Sequence, residues 1–120
     1  MKKIIKTLSA LVAIMGIIHI GATFSPLIGG KLESLDPGTY NAMIYMSIMC
    51  GGLLIVLGGY MVWVIGKTES YPILTTTLRS AAVVLLVNGL FAIYFMPHNP
   101  FAWATAVLCI GSSALSIRYV

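Results

Sequence analysis

The residue best suited to chemistry in this sequence is His19, which stands inside an apolar run spanning residues 8–28. An imidazole can bind a ligand or carry a proton, and an ionisable group within a membrane span indicates function by default. His19 precedes Pro26 by seven residues, which places it about 10 Å below the end of a helix. In such apolar surroundings we expect the imidazole to be neutral and hydrogen-bonded.

A second polar group, Asn88, lies near the middle of another apolar run. The turn at residues 97–100 should set the register of the last two runs, so that Asn88 lies level with Cys109 and Arg79 with Arg118. Because lipid offers an amide no hydrogen-bond partner, Asn88 should either join two helices or contact a solute.

Three further side chains should lie near the depth of His19. Tyr45 and Ser47 belong to the second apolar run, and Tyr94 belongs to the third. Together with His19 and Asn88, they form the ligand-binding set that we predict for this chain.

The chain lacks the patterns of catalysis and of metal binding. Cys50 and Cys109 each stand alone in an apolar run, without the C-x-x-C spacing of a dithiol or thiolate metal site. No Asp or Glu occurs within any run, and the only other histidine, His98, lies in a turn, so a bis-histidine haem is not expected. There is no nucleophile–base set and no phosphate-binding loop. We therefore predict a protein without enzyme activity, metal or cofactor.

The composition identifies the elements that must position these residues. Hydrophobic residues make up 59% of the chain and charged residues only 8%, whereas soluble domains have about 25% charged residues. Four apolar runs approach the roughly 20 residues that cross a ~30 Å bilayer core. They cover residues 8–28, 40–65, 80–96 and 101–117. Pro37 after Asp36, and Pro72 after Ser70 and Tyr71, are typical of helix starts. The prediction is an all-α membrane protein with a single integral-membrane domain.

The basic residues predict the orientation of these spans. Lys31 alone falls on one side of a four-span arrangement, and the other side holds Lys2, Lys3, Lys6, Lys67, Arg79 and Arg118. This asymmetry predicts an antiparallel four-helix transmembrane bundle with both termini in the cytoplasm, in the plasma (inner) membrane of a bacterial-type cell. The basic residues form no stripe, so a nucleic-acid partner is not expected. A signal peptide cleaved after Ala22 is an alternative for the first run, but Ile20 disagrees with the small residue expected there.

Three functions are compatible with this architecture. The first is non-enzymatic binding of a small or lipid-like ligand in a cleft of the bundle that opens outward. The second is an accessory or structural subunit that docks on a partner membrane protein through small residues of the second and fourth runs, Gly51 among them. The third is an oligomeric small-solute transporter in which His19 titrates. The expected partners are therefore the lipid bilayer, a hydrophobic small ligand, and a second copy or another membrane protein.

Overall fold

The computed structural model describes all 120 residues, and every regular element in it is a helix. The elements are α1 (Lys2–Thr23), α2 (Gly29–Leu32), α3 (Pro37–Val64), α4 (Ile73–Phe95) and α5 (Pro100–Tyr119). All except the four-residue α2 are long and apolar enough to cross a membrane. The predicted all-helical fold with four candidate spans is thus confirmed, and the chain has the make-up of a multi-pass membrane protein.

Local side-chain bonds explain where α3 and α5 begin. The Asp36 carboxylate accepts a hydrogen bond from the Thr39 backbone N–H at 3.0 Å, and Pro37 opens the helix as predicted. Asn99 has the same role for α5, since its side-chain oxygen accepts from the Phe101 N–H at 2.9 Å. Both helices therefore start at a capped residue followed by proline.

The predicted start of α4 is wrong. The cap of α4 is Pro72 itself, without a side-chain hydrogen bond, so neither Ser70 nor Tyr71 caps this helix and it begins one residue later than predicted. The first helix covers Lys2–Thr23, so it begins before the apolar run 8–28 and ends within it. Its first turns carry three lysines, which a search for apolar residues leaves out of the run. Lysine is nevertheless a good helix former, so the helix extends through them.

The long helices pack as two pairs, α1 with α3 and α4 with α5. Glycines allow the first pair to approach closely: a Cβ atom at Gly58 would lie 2.6 Å from the Ser9 carbonyl oxygen. In the second pair, a Cβ atom at Gly89 would lie 3.0 Å from the Cβ of Cys109. This contact agrees with the register predicted from the turn at residues 97–100.

Both chain termini are tied to the connection between α3 and α4. Lys2 forms an ion pair with Glu69, and the Tyr119 hydroxyl donates to the same carboxylate at 3.4 Å. The hydrogen bond from the Lys2 ammonium lowers the pKa of Glu69. At the other terminus, the Arg79 guanidinium donates to the Val120 carbonyl oxygen. We call this end of the molecule the basic end, because it also holds six of the seven basic residues.

The apolar core lies toward the basic end. Its residues all lie within one residue of a helix midpoint or on the basic side of it. They are Ile5, Val12, Leu54, Met61, Val64, Ile65, Leu78, Ala81, Ala82, Leu85 and Cys109. The hydrogen bonds between the two helix pairs lie in the same half: Ser9 Oγ to Ser112 Oγ at 2.9 Å, and Tyr60 hydroxyl to Thr77 Oγ1 at 2.7 Å.

Only small side chains of the long helices are buried between the middle of the bundle and the opposite end. They are Gly16, Thr23, Gly51, Gly89, Ala102 and Ala106. The glycines serve contacts within each pair, and no large apolar side chain of the long helices is fully buried in this half. The fully buried apolar core therefore lies on the basic side.

Two adjacent serines on α5 provide a direct test of this packing. Ser112 and Ser113 are both fully buried, but only Ser112 has a hydrogen-bond partner for its hydroxyl, on α1. Ser112→Ala should lower the free energy of unfolding by about 0.6 kcal/mol, the average for a hydrogen bond between membrane helices. Ser113→Ala should leave the free energy of unfolding unchanged or raise it by up to about 1 kcal/mol, because a buried hydroxyl without a partner is costly. Thermal unfolding of the two variants in the same detergent measures both effects, and equal losses would contradict this account.

Candidate ligand-binding site

Three side chains connect α1 to α3 in the half away from the basic end. His19 Nε2 lies 3.2 Å from the Ser47 Oγ, and the Ser47 and Thr23 hydroxyls are hydrogen-bonded to each other. The Thr23 hydroxyl also donates to the His19 carbonyl oxygen at 2.9 Å. The sequence places Thr23 one helical turn after His19, so these groups form a closed ring of hydrogen bonds across the two helices.

The number of available protons fixes the direction of this ring. A hydroxyl has one proton to donate, and Thr23 gives its own to the His19 carbonyl. The proton between Thr23 and Ser47 must then come from Ser47, and the proton between Ser47 and His19 must come from the imidazole Nε2. A neutral His19 in this arrangement carries its proton on Nε2, so Nδ1 is left as a hydrogen-bond acceptor.

The Nδ1 atom of His19 has no protein partner and is open to the surroundings. His19 is only half-buried, and the sole fully enclosed side-chain nitrogen or oxygen without a partner is the Ser113 Oγ. An acceptor that is both free and accessible can take a hydrogen bond from a hydroxyl or amino group of a bound molecule.

Asn88 is also half-buried and without a strong partner. Its amide lies near the Cys50 thiol of α3, and a thiol is a weak hydrogen-bonding partner. Cys50 follows Ser47 by three residues, so both lie on one face of α3. One face of α3 thus carries Ser47, which contacts His19 of the first helix pair, and Cys50, which lies near Asn88 of the second pair.

The two tyrosines of the predicted binding set do not join this series. The side chains of Tyr45 and Tyr94 are 64% and 76% exposed. Tyr45 precedes Ser47 by two residues, which turns it about 200° around the helix axis and away from His19. Of the five predicted residues, the structure brings His19 and Ser47 into contact, places Asn88 beside their neighbour Cys50, and leaves both tyrosines on the outer surface.

The sequence reasoning did not single out Thr23, which closes the hydrogen-bond ring and is almost fully buried. The sequence does contain a pattern that could have identified Thr23: a hydroxyl residue four positions after His19 in a helix can donate to the histidine carbonyl oxygen. The predicted run 8–28 placed Thr23 well before its end, so this residue did not stand out.

The chemistry open to this site is hydrogen bonding. The structure has no cluster of three or more histidine, cysteine, aspartate or glutamate side chains that could hold a metal ion. The two cysteines are free thiols. The sequence matches no protein-family model, and no similar curated protein or solved structure was found.

Proposed function

We propose that the four long helices form an antiparallel transmembrane bundle with both termini in the cytoplasm of a bacterial-type cell. The order of contacts along α1 and α3 supports the antiparallel arrangement, because Ser9 lies against Gly58, Gly16 against Gly51 and His19 near Ser47. The six basic residues at the basic end, against Lys31 at the other, support the orientation. The basic end then faces the cytoplasm of the cell and the opposite end faces outward.

We propose that the protein binds a small or lipid-like molecule in a cleft that opens outward between the two helix pairs. The observation that carries this function is a pair of polar groups at depths where lipid offers no hydrogen bonds: His19 Nδ1, which has no protein partner, and the Asn88 amide, which lies near only the weakly hydrogen-bonding thiol of Cys50. The absence of large buried side chains between the helix pairs in this half supports a cleft there. Binding requires no reacting group, so the function is non-enzymatic.

The geometry also narrows the chemistry of the ligand. The acceptor Nδ1 of His19 requires a hydroxyl or amino donor, whereas the Asn88 amide can both donate and accept. Aliphatic and aromatic side chains predominate along these spans, so most of the ligand should be hydrocarbon-like. An apolar molecule with one donor group, such as a long-chain alcohol or an isoprenoid alcohol, has the chemistry that this site would recognise.

Native mass spectrometry of the gently extracted protein tests this function, with the second histidine as a matched control. We expect an adduct that is distinct from the bulk phospholipids in mass or strongly enriched over its share of the membrane. His19→Ala should weaken its binding about tenfold, the effect of losing one hydrogen bond to a buried partner. His98→Ala changes an exposed residue in the outer turn and should leave the adduct intact.

The other outcomes of that experiment would overturn the binding function. A bare monomer, or one carrying only bulk lipid, would indicate an accessory subunit. A bare oligomer of defined size would indicate the transporter, and the pH dependence of solute uptake should then disappear in His19→Ala. An adduct that persists in His19→Ala would contradict the role given to this histidine.

A docking role for α3 is the second candidate function, because one face of this helix is open. A Cβ atom at Gly52 or Gly59 would meet no atom within 4 Å, and the intervening Val56 is 67% exposed. These residues recur at intervals of four and three, the spacing with which membrane helices associate in left-handed pairs. This face replaces the one predicted around Gly51, which is used inside the molecule.

A further inference from the structure

A surface cleft of about 300 Å³ lies at the basic end, where α3 ends and α4 begins. It is lined by Trp63, Lys67, Tyr71, Ile73 and Leu74. Trp63 belongs to the last turn of α3, Lys67 and Tyr71 to the connection, and the other two residues to the first turn of α4. The cleft is far along the chain from the His19 site and is separate from the function proposed for it.

The polar groups of this cleft are donors without protein acceptors. The Lys67 ammonium lies over the Trp63 ring, 4.2 Å from its centroid, and has no carboxylate partner. The only acid at this end, Glu69, is engaged by Lys2 and Tyr119. The indole N–H of Trp63 and the hydroxyl of Tyr71 also make no hydrogen bond within the protein, and both side chains are more than half exposed.

The same cleft has an apolar wall that water would solvate poorly. Ile73 is 75% exposed, and Leu74 lies beside it in the lining. Tryptophan and tyrosine are enriched where the bilayer meets water, and their apolar rings there contact lipid while their polar atoms reach the headgroups. A cation, two neutral donors and an aliphatic wall together complement an amphipathic anion.

We propose that this cleft binds the headgroup of an anionic phospholipid of the cytoplasmic leaflet. The headgroup phosphate contacts the Lys67 ammonium and accepts from the Trp63 N–H or the Tyr71 hydroxyl. The glycerol and the first part of an acyl chain lie against Ile73 and Leu74. The cation–π contact with Trp63 holds the ammonium at the level of the phosphate and shortens the range over which the lysine chain moves.

A second cleft at the opposite end shows what the cation adds. It has a volume of about 510 Å³ and is lined only by Leu90, Phe91, Ile93, Tyr94 and Trp103. Its tryptophan N–H is already used, since Trp103 donates to the Pro97 carbonyl oxygen at 2.8 Å. This cleft keeps the Tyr94 hydroxyl as a donor but has no cation and no free indole N–H, so it can hold acyl chains without the charge that would favour an anionic headgroup.

The test compares the binding of phosphatidylglycerol and phosphatidylcholine with identical acyl chains, titrated onto the detergent-solubilised full-length protein and read by native mass spectrometry. The wild type should bind the first phosphatidylglycerol more tightly than phosphatidylcholine. Lys67→Gln should reduce that preference about fivefold, because one basic residue near the membrane surface contributes on the order of 1 kcal/mol to binding anionic lipid. Lys67→Arg keeps the charge and should keep the preference.

Two controls distinguish a specific site from diffuse attraction. Lys3→Gln removes an exposed charge at the same end but outside the cleft, and should leave the preference unchanged. Excess inorganic phosphate should not displace the lipid, since it has no acyl chain to bury. An equal loss in Lys3→Gln, an unaltered preference in Lys67→Gln, or displacement by phosphate would each overturn the proposal. Circular dichroism of each variant verifies that the helices are intact.

Discussion

Gly58→Leu should lower the free energy of unfolding by about 3 kcal/mol, the upper range for forcing extra atoms into a packed interior. A Cβ atom at this position would lie 2.6 Å from the Ser9 carbonyl oxygen and 2.7 Å from the Ala13 backbone nitrogen. Both neighbours are backbone atoms of α1, so neither can move unless the whole helix shifts. The shift would also separate Gly16 from Gly51 and strain the bond between His19 and Ser47. Thermal or denaturant unfolding of the purified protein, followed by circular dichroism, measures the loss.

The next residue along the chain supplies a matched control. Gly59→Leu makes the same chemical change on the same helix, but a Cβ atom there would meet nothing within 4 Å. We expect a change in the free energy of unfolding of no more than about 0.5 kcal/mol, as for most surface substitutions. If the two variants are equally stable, α1 and α3 do not pack through this glycine contact. If Gly59→Leu retains the fold but loses a partner found with the wild type, the docking role of α3 gains direct support.

The sequence was most informative where a local chemical rule acts. Asp36 before Pro37 marks the start of α3 correctly, because the cap and the proline act within one turn and need no other part of the chain. The prediction for α4 is wrong because the N-cap residue is Pro72, which makes no side-chain hydrogen bond. Neither Ser70 nor Tyr71 caps the helix. Depth, too, is a local quantity, since it follows from counting residues along a helix from its end.

Rotation about the helix axis could not be obtained in this way. Ser47 and Tyr45 lie at nearly the same depth, yet only Ser47 reaches His19. Which residues face α1 depends on which glycines pack against it, and α3 has glycines on two faces about 100° apart. Gly51 and Gly58 lie on one face, and Gly52 and Gly59 lie on the other. The pattern of small residues alone cannot decide between these faces. In the structure, the face with Gly51 and Gly58 packs against Gly16 and Ser9 of α1. This packing turns Ser47 toward α1 and Tyr45 toward the outer surface.

The hydrogen-bond ring around His19 has a consequence for the second polar group of the site. Because Ser47 and Thr23 use their hydroxyl protons within the ring, neither can donate a hydrogen bond to the Asn88 amide. A neighbour of Asn88 on α3, the Cys50 thiol, is a weak hydrogen-bonding group. A mid-span amide without a strong hydrogen-bond partner in the protein lowers the free energy of unfolding. The presence of Asn88 therefore favours a hydrogen-bond partner on a bound molecule.

Asn88→Leu should therefore separate stability from function. Leucine is close to asparagine in size and needs no hydrogen bond, so the free energy of unfolding should stay the same or rise by about 1 kcal/mol. The adduct found with the wild type should meanwhile bind at least about tenfold more weakly, because the ligand loses its bond to the amide. Unfolding by heat measures the first quantity and native mass spectrometry the second. Loss of both would assign Asn88 a structural bond between helices.

Two further substitutions make this result specific. Asn41→Leu removes an exposed amide near the start of α3 and should change neither stability nor binding, which rules out a general effect of replacing amides. Cys50→Ala removes the thiol that lies near Asn88 on α3. If the thiol were the true partner of the amide, Cys50→Ala and Asn88→Leu would destabilise the protein equally. A ligand-bound amide instead predicts that Cys50→Ala retains the adduct and Asn88→Leu loses it, since the hydrogen bond then runs to the bound molecule and not to α3.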